Sequence, residues 1–223
     1  MPHRVAAACA VVALGAAAWA ALDPDRGPLA LLLVAGALVA AGFSWFESGP
    51  DAAKDVTLVA TLAGIAAAGR VLFVAVPGVQ PVTVITAAAG AALGPKRGFA
   101  VGALAALSSN FFLGQGPHTP WQMLAWGGCG VAAGLARPLI RRRLPFALFC
   151  FALGFAYGLP LDLYTWLYLP HNEASLLAVF ARGFPFNAAH ALGNLALALL
   201  AGPELRRVLD RYERRVRTEI VWA

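Results

Sequence analysis

The stretch SSNFFLGQGPHTPWQ, residues 108–122, interrupts an otherwise greasy chain. It leaves one apolar block, breaks at Gly114, Gly116, Pro117 and Pro120, and enters the next. Asn110, Gln115, His118, Trp121 and Gln122 stand in or beside the break. Hydrogen-bonding groups at the edge of a bilayer are costly unless they pair or line a cavity. The flanking blocks therefore read as membrane helices, and the break as a turn with work to do.

The rest of the 223-residue chain supports a membrane reading. Hydrophobic residues make up 60% and charged residues only 13%, about half the charge of an ordinary soluble domain. Mean hydropathy is +0.71. A soluble binding module is excluded on these grounds. Eight apolar segments are predicted, at 5–22, 28–46, 55–76, 82–93, 98–113, 121–136, 145–169 and 184–200, the fourth too short to span a bilayer unaided. The first lacks the polar flank of a cleaved signal peptide and is read as a retained span. This divides the chain into an N-terminal helix pair (1–50), a six-helix core (51–204) and a basic tail (205–223), in which a short helix continues from the last span.

Basic residues orient the segments. Of 17 Lys and Arg, only Arg26 and Arg182 fall on one side, with Arg70 inside a span. The others, including the RPLIRRR loop and the tail, fall on the opposite side, which the positive-inside rule makes cytoplasmic. Both termini are then cytoplasmic and the protein sits in the cell membrane. The pI of about 9.8 follows without any nucleic-acid partner.

Three turns are left outside, at 77–81, 114–120 and 169–176. They bring Gln80, Gln115 and His118 to one level with Asn110. In the last span Asn187, His190 and Asn194 follow the spacing i, i+3, i+7 and share a helical face. A solute pocket open to the exterior is predicted, with Arg70, Gln80, Asn110, Gln115, His118, Trp121, Asn187 and His190 as binding residues. Structural hydrogen bonding between helices is the competing reading for each. Trp126 reads as packing. Arg70 has two readings, an ion pair with Asp162 or a contact to an anionic solute. Cys9, Cys129 and Cys150 read as small buried hydrophobes, and neither a metal nor a cofactor is expected.

Glycines 90, 94, 98 and 102 recur every four residues, as do Gly130/Gly134 and Gly154/Gly158, a spacing that lets membrane helices approach closely. On the segment 55–76 two small-residue stripes compete, Ala60/Gly64/Ala68 and Ala63/Ala67.

The run GRVLFVAVPGVQPVTVITAAAGAALGPKRGFAVGALAALSSNFFLGQGPHTPWQMLAWG, followed by RGFPFNAAHALGNLALALLAGPELRRVLDRY, resembles the substrate-binding S components of energy-coupling factor (ECF) vitamin transporters. The stretches FFLGQGPHTPWQM and HALGN are the most specific. The likeness covers about residues 53–215. It implies a six-helix membrane core that captures a vitamin or related micronutrient from outside, with cobalamin or a precursor as one candidate. It also implies a transmembrane T component and two ATP-binding-cassette ATPases as partners. Small residues of the first core helix contact the T component in that family, which carries over to Ala63 and Ala67. An acidic residue expected in GFPF-x-x-x-H is Asn187 here.

Two rivals stand beside it. A self-contained secondary transporter would use buried acids for coupling, and Asp162 is the one acidic candidate within a span. An intramembrane serine protease would need Ser44 of GFSW beside His190, yet the two fall toward opposite ends of their spans. There is no HExxH or Walker A element, so no enzymatic activity is expected.

Overall fold

The computed structural model describes residues 26–47 and 52–219, with scattered positions between 5 and 16. The predicted span 5–22 lies largely outside the described residues. From residue 27 on, the described residues form eight helices in order: α1 Gly27–Glu47, α2 Ala52–Leu72, α3 Val82–Leu93, α4 Pro95–Leu113, α5 Thr119–Leu135, α6 Arg143–Trp166, α7 Glu173–Leu200 and α8 Gly202–Glu219. Among the described residues there is no strand.

The breaks have local causes. Gly94 sits at φ 99°, where a side chain would be strained, and Pro95 opens α4 at its first turn. Together they stop α3 and restart the chain as a new helix. Gly114, at φ 110°, ends α4, its N–H returning to the Asn110 carbonyl at 2.9 Å. Asn172 caps α7: its side chain accepts from the Ser175 N–H at 2.9 Å, and the Ser175 hydroxyl faces back to the Asn172 N–H.

All twelve residues of α3 are buried. A helix that is apolar all round belongs in the middle of a bundle, and α3 is enclosed by α2, α4, α5 and the ends of α6, α7 and α8. The most extensive interfaces are α4 with α5 and α6 with α7. Helix α1 joins the same body: it lies on α4 and α5, with Phe43 edge-on to Phe99 at 6.0 Å. Helix α8 turns away from α7 by 62°, then packs on the end of α3 through buried Leu209. The tail helix is therefore a separate element and not the predicted continuation, because the turn lets its leucines reach the core while Arg207, Arg211, Arg214 and Arg215 stay exposed.

Among the described residues two helices, α1 and α6, are long and apolar enough to cross a membrane, and the bent pair α7–α8 would make a third. Large apolar side chains stand on the outside of the bundle, Leu72 80% and Phe112 77% exposed. This is the surface of a helical membrane protein.

The glycine series 90–102 is divided between two helices by the break at Gly94. Gly98 still makes a close approach: a Cβ there would stand 2.8 Å from the Gly130 carbonyl of α5. On α2, Ala63 and Ala67 turn inward with Val59, Ala66 and Arg70 and are buried. The expectation that they face a partner is corrected by this packing. The stripe that faces out is Ala60, Gly64 and Ala68.

Candidate functional site

Arg70, near the end of α2, is only 7% exposed. Its Nη1 donates to Ser109 Oγ and Asn110 Oδ1, both at 2.6 Å. The guanidinium lies over the Trp126 ring, 4.8 Å from its centroid. Nε is buried without a hydrogen-bond partner. No carboxylate pairs with Arg70 among the described residues. The ion pair weighed with Asp162 is absent because that carboxylate, on α6, accepts from Asn187 Nδ2 at 2.8 Å.

Asn110 carries the network onward. Its Nδ2 donates to Thr119 Oγ1 at 3.0 Å and Gln122 Oε1 at 2.7 Å. The Thr119 hydroxyl donates to Gln115 Oε1 at 2.9 Å, and Gln115 Nε2 donates to the Leu107 carbonyl at 3.0 Å. The opening turn of the sequence thus folds its amides back onto α4 and α5. Buried Asn110 and Thr119 satisfy one another, as buried polar groups must, while Gln115 stays exposed.

Trp126 joins this cluster to a second one. Its Nε1 donates to Thr83 Oγ1 at 3.0 Å. Thr83 in turn meets His190 Nε2 at 3.0 Å, and His190 Nδ1 lies 2.7 Å from the Gly78 carbonyl. A carbonyl only accepts, so Nδ1 carries the proton. The Thr83 hydroxyl, already accepting from the indole, donates to Nε2 of a neutral ring. Tyr157 stacks on Trp126 at 4.2 Å and leans on His190 at 5.1 Å. Gly78 is required at its place, since φ is +76° and a Cβ would meet the His190 backbone N at 2.9 Å.

The predicted residues therefore fall into different groups. Arg70, Asn110 and Gln115 share one network, and His190 belongs to the second. Asn187 is on the same face of α7 but serves Asp162. Asn194, one turn further, is buried with its amide unpartnered. Gln80 is half-buried, with Oε1 enclosed and unpartnered. Trp121 lies against Tyr164, ring centroids 6.1 Å apart. His118 lays its ring over Gly116; its carbonyl accepts from the Gln122 N–H at 3.0 Å, and the ring has no hydrogen bond among the described residues. The eight side chains do not line one open pocket: Arg70, Asn110, Asn187 and His190 are buried between helices, only Arg70 and Asn110 bond to each other, and Gln115 is exposed. The residues missed were Thr83, Ser109, Thr119, Trp126 and Tyr157. Thr119, Gln122 and Trp126 at i, i+3, i+7 on α5 carried a periodic signal that would have found three network members.

An open cavity of about 360 Å³ lies between the ends of α6 and α7, lined by Asp162, Thr165, Leu169, Val179 and Arg182 among others. A chain of contacts runs from it to Arg70. Asp162 holds Asn187, His190 follows one turn along α7, and Tyr157 and Trp126 complete the path. Both ring nitrogens of His190 are engaged, by Thr83 and the Gly78 carbonyl, and neither meets Ser44. Among the described residues no three His, Cys, Asp or Glu side chains gather as a metal site would require.

No curated protein and no solved structure matches this chain. The model of a family of unknown function, DUF6580, matches residues 51–206. That segment runs through α2–α7 and the start of α8 and contains both polar clusters, so the chain belongs to the DUF6580 family.

Proposed function

We propose that this protein is the solute-binding subunit of an energy-coupling factor type importer, taking a small polar solute from outside the cell membrane. The observation that carries the reading is Arg70. A cation enclosed in an apolar bundle without a carboxylate is expensive, and the cost is accounted for if a solute's carboxylate, phosphate or amide oxygen completes its coordination. The solute enters at the end of the bundle where the cavity between α6 and α7 opens, the end that the arginine distribution assigns to the exterior. It belongs to the vitamins or related micronutrients, with cobalamin or a precursor as one candidate. Six core helices follow the N-terminal pair in this reading. A T component docks on the outward stripe Ala60, Gly64 and Ala68 and links the protein to two ATPases.

The test is mass spectrometry of small molecules that co-purify with the full chain in mild detergent, followed by thermal-shift titration with those found. A carboxylate-, phosphate- or amide-bearing solute that stabilises wild type and not Arg70→Met is expected. A solute that stabilises both equally rejects Arg70 as its contact. Recovery of the protein from its native membrane without T component or ATPases rejects the importer reading.

A further inference from the structure

The arginine end of the bundle has a feature that solute capture does not use. Two adjoining cavities, about 490 and 240 Å³, lie between the α5–α6 loop and α8. Arg141, Arg206, Asp210 and Arg214 line both, Arg137 the larger and Arg143 the smaller. Acidic groups are outnumbered, and Glu213, which lines the larger cavity, is itself bonded to Arg97 at 3.0 Å. Arg206 forms the floor: Nη1 donates to the Ile140 carbonyl, the guanidinium lies 5.1 Å from the Phe146 ring centroid, and Nε is buried without a partner. Burial holds this guanidinium below its ordinary range, with Asp210 drawing it back up.

Bare leucines stand beside the lining arginines in sequence: Leu139, 78% exposed, between Arg137 and Arg141 on the loop, and Leu144, 59% exposed, next to Arg143 at the start of α6. Clustered guanidinia beside bare leucines suit one chemistry, a phosphate anion attached to hydrocarbon. A soluble anion would use the arginines and leave the leucines in water. Guanidinium forks match phosphate oxygens, and a basic recess beside a membrane helix attracts acidic lipid headgroups.

We propose that the cleft between the α5–α6 loop and α8 binds the headgroup of an anionic phospholipid, with its acyl chains along Leu139 and Leu144. The site rests on the chain lying in a membrane and is independent of which solute, if any, Arg70 holds. The bound lipid pins α8 to the bilayer surface beside the arginine end.

The experiment is native mass spectrometry of the full chain in non-ionic detergent, with dioleoyl phosphatidylglycerol or dioleoyl phosphatidylcholine added. Retention of the glycerol lipid over the choline lipid is expected. The R137Q/R141Q double variant should lose about tenfold in that retention. R211Q/R215Q removes the same charge from α8 outside the cleft and should retain the lipid as wild type does. Equal loss in both double variants would reduce the effect to diffuse charge and overturn the site. So would equal retention of the two lipids. Displacement of phosphatidylglycerol by millimolar inorganic phosphate would assign the cleft to a free anion and overturn the lipid. If R137Q/R141Q fails to fold, the single R141E carries the same expectation.

Discussion

A guanidinium taken out of water without a counter-ion costs several kcal/mol, and Arg70 has only two hydrogen bonds and an indole face in return. Arg70→Met should therefore leave the melting temperature of the solute-free protein unchanged or raised. Solute binding should fall by tenfold or more, as loss of a charge-assisted hydrogen bond of about 1.5–3 kcal/mol requires. A large drop in stability with intact binding, read by detergent thermal denaturation and solute titration, would make Arg70 a structural residue. Trp126→Phe is a narrower test. It keeps a ring beside Tyr157 and removes the donor to Thr83, so a cost of about 1–3 kcal/mol is expected from the unsatisfied pair. Thr83→Val also takes the donor from buried His190 Nε2, so in the Trp126→Phe background it should add a further cost, measured as a double-mutant cycle. At this scale the sequence pointed to Arg70, Asn110 and His190 as polar groups out of place. It did not reveal that Trp126 joins them, because an indole in an apolar helix looks the same whether its N–H is bonded or not.

The helices are set by where glycine and proline fall. The Gly94–Pro95 break was legible as the gap between the apolar segments 82–93 and 98–113, while the glycine spacing of four runs straight through it, since periodicity is indifferent to a positive φ. What the spacing did convey is the close approach. Gly98→Ala or Gly130→Ala drives a methyl into the facing backbone and should cost about 1–3 kcal/mol or more, as overpacking does. Gly128→Ala, with open space around its Cβ, should be neutral or slightly stabilising through helix propensity. Comparable melting points for Gly98→Ala and Gly128→Ala would remove the close seam between α4 and α5. Helix α2 gives a second contrast. Ala63→Trp should damage the fold, while Gly64→Trp should leave the melting point near wild type and block co-purification of a T component. A Gly64→Trp protein that still recovers that partner would move docking to another face. Composition made both stripes of α2 visible, but only the tertiary packing of Val59, Ala66 and Arg70 decides which of them turns in.

For the whole molecule, hydropathy separated helices from turns well and lipid from protein poorly. Leucine and alanine are equally at ease against acyl chains and against another helix, so α3, wholly enclosed, and α1, which has one side open, give the same kind of signal. That is why seven of the predicted segments fall among the described residues, where two helices, or three with the bent pair, have the length and apolarity of a span. The charges hold the complementary information. Arg97, Arg137, Arg141, Arg142, Arg143 and the arginines of α8 lie at one end of the bundle, and the turns around Gly78, Gly114 and Asn172 at the other. Only topology can decide whether that polarity is aligned with the membrane. Single cysteines at His118 and Arg142, in a Cys9→Ser background with Cys129 and Cys150 buried, address it in intact cells. A membrane-impermeant maleimide should label the H118C protein from outside and the R142C protein only after the cells are opened. Labelling of R142C from outside would invert the protein. It would put the Arg70 cluster on the cytoplasmic side, end the uptake reading, and leave the lipid cleft facing the outer leaflet.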